Sequence, residues 1–255
     1  MNNKYKSSIG HHSSYIRETE KILKLYYKLE SYDDLFEKIV YENDLNKSSE
    51  SYRKMILKEV SRRYQLNKNR YEETPLIKIM NSNLSKSKEK WFLYYEFCED
   101  RLIYKLITDL VYPKYNRGDF GIDKKDVLGY LEKLGEKNNE IDNWSEYTTL
   151  QVAEHFLSSL KNFGILEGSK QKKFKYVSPP NELVVYVLYS IKEMGFDTTE
   201  DIIKHDDWKL LMMDMSTTRN RLRRISPDFI KYEKRGSVEQ IEFKYNSLEE
   251  CIDDF

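Results

Sequence analysis

Residues 144–177, WSEYTTLQVAEHFLSSLKNFGILEGSKQKKFKYV, constrain the fold more than any other stretch of the chain. Ser145 is suited to cap a helix, because its hydroxyl can accept one of the amide protons that the first turn leaves unpaired. Leu150, Val152, Ala153, Phe156, Leu157, Leu160 and Phe163 then recur at three- and four-residue steps, which predicts one buried helical stripe. Gly164 ends it, as a residue that takes positive φ without a Cβ clash. Ile165 and Leu166 begin an extended run, and Gly168 and Ser169 mark a turn. Phe174 and Tyr176 alternate with Lys173 and Lys175, the period of a half-buried strand. Pro179 and Pro180 stop it.

A helix followed by a basic hairpin has the outline of the second half of a winged helix. The outward side of the helix offers Thr148, Gln151 and His155, with Ser158 and Ser159, and the hairpin carries Lys170, Lys172, Lys173 and Lys175. Such hydrogen-bonding groups can read base edges, and lysines beside them can hold phosphates. The same residues also suit a solvated helix face, and winged helices serve as protein-binding modules too. The segment alone leaves these readings open.

With 255 residues, 39% of them hydrophobic, the chain can bury a core and form one large or several small domains. Its longest apolar run, residues 183–189, is far shorter than a bilayer span of roughly 20 residues, and no charged-then-apolar leader opens it, so a cytoplasmic protein is expected. Cys98 and Cys251 have no Cys or His at ligand spacing and are read as free thiols. His11 and His12 are adjacent, so they diverge and make poor joint metal ligands. No metal, cofactor or small-molecule substrate is expected. Formal charge is zero, with 43 basic and 43 acidic residues, yet residues 47–70 hold eight basic side chains and two acidic ones. A chain neutral overall can still present a basic face.

Before the opening stretch the chain reads as helices. The first is expected over 15–29, the second after a Ser31 cap, and the third over 49–64. In the third, Tyr52, Met55, Ile56 and Val60 face one way and Lys54, Lys58 and Arg62 another, flanked by Arg53 and Arg63. Helix, short turn and basic helix make the outline of a helix-turn-helix. Glu59 to Arg63 is the evident i,i+4 pair, which leaves several cations for an external anion. Residues 66–87 read as a connection with one short helix. One long central helix is expected over 88–112, ended by Pro113, and residues 116–121 read as a turn before a helix over 124–135. After Pro180 come an apolar helix, two brief ones, the segment STTRNRLRRI with Arg219, Arg221, Arg223 and Arg224, and a hairpin over 229–245. Helix then basic hairpin thus occurs twice. The expected segmentation is 1–66, 67–140, 141–180 and 181–255.

The chain contains no P-loop, GxGxxG, GxSxG or HExxH, and no clustered Cys and His. Its carboxylates are interleaved with lysines as helix surfaces are. A non-enzymatic protein is expected.

The opening YKSSI, the block from IRET to YENDL, the basic helix ending in SRRY, and WSEYT through FLSSLKNFGIL into YVSPP together resemble the BrxA family of BREX bacteriophage-exclusion systems. The order and spacing of these segments carry the resemblance, over roughly residues 5–245. It implies a mainly helical fold with an amino-terminal part similar to the antitermination factor NusB and a winged-helix-like later part with short hairpins. It also implies binding to double-stranded DNA, no enzymatic activity, and action beside a methyltransferase, an ATPase and a phosphatase-like protein. The resemblance brings no catalytic residues. Phosphate contacts are expected from Arg53, Lys54, Lys58, Arg62 and Arg63, from the four hairpin lysines, and from the four arginines of 219–224. The alternatives are an adaptor that binds other defence proteins without touching DNA, and an RNA-binding factor of the NusB kind.

Overall fold

The computed structural model describes residues 5–7, 9, 14–169, 172–236 and 238–255, so Lys170, His11 and His12 lie outside the described residues. The fold is mainly helical, with two antiparallel hairpins. The chain divides into two compact units, one of residues 14–100 and the other holding 101–255 with the described part of 1–13.

In the unit of residues 14–100, α1 (Ile16–Leu29) buries Thr19, Ile22, Leu23 and Tyr26. α2 (Tyr32–Phe36) starts where the Ser31 hydroxyl accepts the Asp34 amide, and it runs on into a π-helical turn, Glu37–Tyr41. α3 (Glu50–Arg63) is capped in the same way by Ser49 and buries Ile56, Leu57, Val60 and Ser61. α4 (Pro75–Met80) has proline in its first turn, where no amide donor is required. α5 (Lys86–Phe97) is buried on several sides, with Phe92, Leu93, Tyr94, Tyr95 and Phe97 all inside.

The single helix expected over 88–112 is two helices. α5 ends at Phe97, residues 98–100 form a turn, and α6 (Arg101–Leu106) begins the other unit. Nor does Pro113 end that second helix. α6 passes into a π-helical turn, Ile107–Val111, and then into α7 (Tyr112–Asn116). Pro113 falls in the first turn of α7, directly after the π-turn has changed the hydrogen-bond register, where a helix tolerates a residue without an N–H.

α8 (Lys124–Gly135) opens with a reciprocal capping box between Asp123 and Asp126. After the short α9 (Asn139–Asp142), α10 (Glu146–Phe163) matches the sequence expectation closely. The Ser145 hydroxyl accepts the Thr148 amide, and Gly164 closes the helix at φ 92°. β1 (Leu166–Glu167) pairs with β2 (Lys173–Phe174), and Gly121 bridges to Lys173 on the other edge of β2. Phe120 and Ile122 complete that edge, since the Phe174 amide donates to the Phe120 carbonyl at 3.1 Å and the Ile122 amide to the Lys172 carbonyl at 3.1 Å. The turn expected over 116–121 therefore ends in a short third strand. Tyr176 does not continue the inward alternation: it is 88% exposed, just beyond the end of β2.

α11 (Asn181–Glu193) buries every residue from Leu183 to Tyr189 and forms the apolar centre of the carboxy-terminal part. Around it come α12 (Thr199–Lys204), α13 (Asp207–Leu210), α14 (Met215–Ile225), the hairpin of β3 (Ile230–Arg235) and β4 (Val238–Phe243), and α15 (Leu248–Ile252). The Tyr189 hydroxyl donates to the Phe229 carbonyl at 2.9 Å and accepts from the Tyr245 amide at 3.2 Å, and its ring meets Phe243 edge-on. One phenol thus joins the root of the hairpin to α11. Cys98 and Cys251 are both buried, and neither forms a disulfide.

The expected seam at 66/67 falls between α3 and α4, that at 180/181 at the start of α11, and that at 140/141 inside α9.

Candidate nucleic-acid interface

The first group of expected contacts lies on α3. Its alternation of acid and base is closer than the sequence suggests, because Glu50 pairs with Lys54 at 2.6 Å one turn away. Glu59 takes both Arg62, through two hydrogen bonds, and Arg63 at 2.9 Å. Arg63 is itself packed against the Phe97 ring, with a side chain only 6% exposed. Arg53 faces inward, donating Nε to the Val40 carbonyl at 2.7 Å and Nη1 to the Lys47 carbonyl at 3.0 Å. It satisfies carbonyls at the end of the π-helical turn and in the loop after it. Lys58 is exposed and has no ion-pair partner among the described residues. The expected stripe thus reduces to one unneutralised lysine among four internally engaged cations.

The second group lies on α10 and the first hairpin. Burial of Val152, Ala153, Phe156, Leu160 and Phe163 sets the inward side, which leaves Tyr147, Gln151, Glu154, Ser158 and Lys161 pointing outward. Gln151 sits where expected. Thr148 is occupied at the cap, its hydroxyl 2.9 Å from that of Ser145. His155 turns to the edge of the face, with Nδ1 buried and unpartnered among the described residues. Glu154 stands in the middle of the outward face and pairs with Lys124 at 3.0 Å. On the hairpin, Lys173 lies over the exposed Phe120 ring at 4.6 Å, and Lys175 is exposed with no ion pair among the described residues. The Lys172 ammonium is pushed below the usual lysine range by burial and then by Lys161 nearby.

The third group lies on α14, and here the helix sorts its own arginines. Thr218, Leu222 and Ile225 are buried, so Ser216, Asn220 and Arg223, four and three residues apart, point directly away from the core. Arg219 and Arg221 fall on the flanks and act as struts. Arg219 Nε donates to both carboxylate oxygens of Glu239 on β4, at 3.0 and 2.9 Å, and Lys234 on β3 meets the same carboxylate at 2.5 Å. Lys234, with Arg219 adding to it against the opposing pull of burial, holds the Glu239 carboxyl down to about 2. On the other flank Arg221 donates to the Pro179 carbonyl, and burial followed by the proximity of Arg224 lowers its guanidinium below the usual arginine range. Arg223 is exposed, donating Nη1 to the Asn220 side-chain carbonyl at 2.8 Å and lying 5.8 Å from the Tyr232 ring centre. Arg224 is exposed with no ion-pair partner among the described residues. Residues 215–225 contain no carboxylate.

Sequence reasoning missed Asn220, Ser216 and Glu239. The first two were legible from the helical position of the buried Thr218, Leu222 and Ile225. Glu239 was not, because its partner arginine lies across a hairpin whose register only the fold supplies.

A protein-family model described as BrxA matches residues 3–188, nearly three quarters of the chain. The chain belongs to the BrxA family. BrxA membership implies a component of a BREX phage-defence system, and suggests other BREX subunits as its partners. The BrxA match ends within α11, so α14 and the second hairpin lie beyond it. The chain is also similar to a solved structure titled as the crystal structure of an uncharacterized protein from Magnetospirillum magneticum. The TM-score is 0.63 at 17% identity, over 82% of this chain and 99% of that one, a likeness that concerns the fold alone. No curated protein matches the chain. Among the described residues no helix is long and apolar enough to cross a membrane.

Proposed function

We propose that this BrxA-family chain is a non-enzymatic, cytoplasmic DNA-binding accessory component of its phage-defence system, and that it grips duplex DNA through two winged-helix units. The order over residues 101–174 is helix, short strand at 120–122, α8, α10, β1 and β2, with the first strand paired to the last. That order supports a winged helix in which α10 is the second helix of the helix-turn-helix pair. α11, α12, α14 and the β3–β4 hairpin repeat the plan without the first strand. The observation that carries the proposal is the outward side of α14, which combines Arg223 and Arg224 with polar Ser216 and Asn220 and has no carboxylate on the helix. Unneutralised cations beside neutral hydrogen-bonding groups suit phosphates flanking a groove.

Lys172, Lys173 and Lys175 add a second set of phosphate contacts, and Lys58 on the other unit a third. Lys54, Arg62 and Arg63 contribute less, since each already faces a carboxylate, and Arg53 and Arg219 serve the fold.

Binding is tested by titrating a labelled duplex at increasing salt. About five phosphate contacts release enough counterions for affinity to fall roughly 10²- to 10³-fold between about 50 and about 200 mM salt. A flat response would overturn the proposal. The same series with single-stranded DNA and with looped RNA tests the NusB-like alternative, which requires the RNA to bind best.

A specific feature favours a second role for the first winged unit, as an adaptor. It exposes three aromatic side chains, Phe120, Tyr147 and Tyr176, which are 68%, 72% and 88% exposed. Exposed aromatics suit another defence subunit better than a polyanion. Loss of partner pull-down with unchanged duplex affinity on substituting these aromatics would assign that surface to protein.

A further inference from the structure

We infer that α14 reads DNA sequence, with Asn220 and Arg223 as the specificity-determining residues for an adenine and a guanine one or two base pairs apart. The inference rests on the duplex-binding reading of this unit and goes beyond it, since phosphate contacts alone carry no sequence information.

Ser216, Asn220 and Arg223 form the crest of the helix, opposite its buried side, while the flanks are held by Arg219 on the hairpin and Arg221 on the Pro179 carbonyl. A crest braced on both sides is what a helix needs if its outermost side chains are to enter a groove in a fixed orientation. Arg223 is itself placed before any ligand arrives. Its Nη1 donates to the Asn220 carbonyl oxygen and its guanidinium stands beside the Tyr232 ring, yet neither partner is a carboxylate, so the charge is positioned without being neutralised. The fork of a guanidinium matches the two acceptors of a guanine in the major groove, and a side-chain amide matches the acceptor and donor of an adenine. The Asn220 oxygen keeps a second lone pair for an adenine amino group, and its Nδ2 has no partner among the described residues. Ser216, one turn earlier, can contact either kind of base and therefore adds little discrimination.

α10 shows the contrast. The centre of its outward face is the Glu154 carboxylate, paired to Lys124, and its histidine has a buried ring nitrogen turned from that face. Sequence reading is therefore assigned to the second winged unit and not to the first.

The experiment selects duplexes bound by the full-length protein from a pool with a randomised centre and sequences them. The expected result for the wild type is enrichment of sites with an adenine and a guanine at neighbouring positions. N220A flattens the adenine position and R223A the guanine position, each by roughly 5- to 100-fold in discrimination. R224A weakens all sequences alike and leaves the preference in place. Both crest residues are exposed, so unchanged melting temperatures will confirm that the variants fold. Strong duplex binding without any enrichment, or enrichment unaltered in N220A and R223A, would overturn the inference and leave duplex binding standing. Absence of wild-type duplex binding would overturn both.

Discussion

Gly121 lies so close to Lys172 that a methyl group on its α-carbon would overlap the Lys172 carbonyl oxygen. That contact lets residues 120–122 lie along β2, with the Ile122 amide donating to the same carbonyl. Backbone cannot yield as a flexible side chain can, so G121A must push the strand off its neighbour. A loss of about 2 to 3 kcal/mol is expected in denaturant unfolding. Amide exchange should rise at Ile122 and Phe174, and unchanged protection there would show that the short strand contributes nothing.

Glu239 gives the second hairpin an acid-sensitive joint. Its carboxyl titrates at about 2 in the folded chain because Lys234 and Arg219 favour the charged form, against an ordinary value of 4.5. A depressed folded value means that the joint's contribution is present above about 4.5 and is lost as pH falls from there toward 2. The wild type should therefore lose stability over this window more steeply than E239Q. At neutral pH E239Q should cost about 1 kcal/mol. Parallel pH profiles of the two proteins would refute the assignment.

Lys24 and Glu89 make a pair of unequal exposure, 2.8 Å apart, with the Glu89 side chain 2% exposed and that of Lys24 41%. Removing the cation strands a buried carboxylate. K24M should cost about 2 to 3 kcal/mol, less than a fully buried pair because water still reaches the lysine side. The double variant K24M with E89Q should regain part of that loss, and a double variant as unstable as K24M would count against the pair.

The arginines of α14 should separate into two classes. R219A is expected to lower the melting temperature, since it removes the link between helix and hairpin, and to affect DNA through that loosening. R224A should leave the melting temperature within experimental scatter and reduce the slope of log affinity against log salt by about 1. Identical behaviour of the two variants would contradict the division into struts and contacts.

Most of the helical elements were legible in the chain. Ser31, Ser49 and Ser145 each cap the helix that comes next, and Gly164 takes the positive φ expected of it, because these are local effects. What escaped depended on partners distant in sequence or on a break without a breaker residue. The turn at 98–100 contains neither glycine nor proline, so periodicity carried straight through it. Phe120 to Ile122 is too short to show alternation and gains its hydrogen bonds from a strand about 50 residues later. The cationic surfaces were legible as composition but not as chemistry. Counting α3 as a basic stripe overlooked Glu50, and Arg219 found its carboxylate 20 residues away.

The Tyr189 hydroxyl is donor to one end of the second hairpin and acceptor from the other, so it acts as a fulcrum. With the root anchored there and Glu239 tied to α14 one residue pair from the turn, the hairpin is fastened near both of its ends. Two fastenings so far apart along the strands set the angle between hairpin and helix, so that neither can swing without the other.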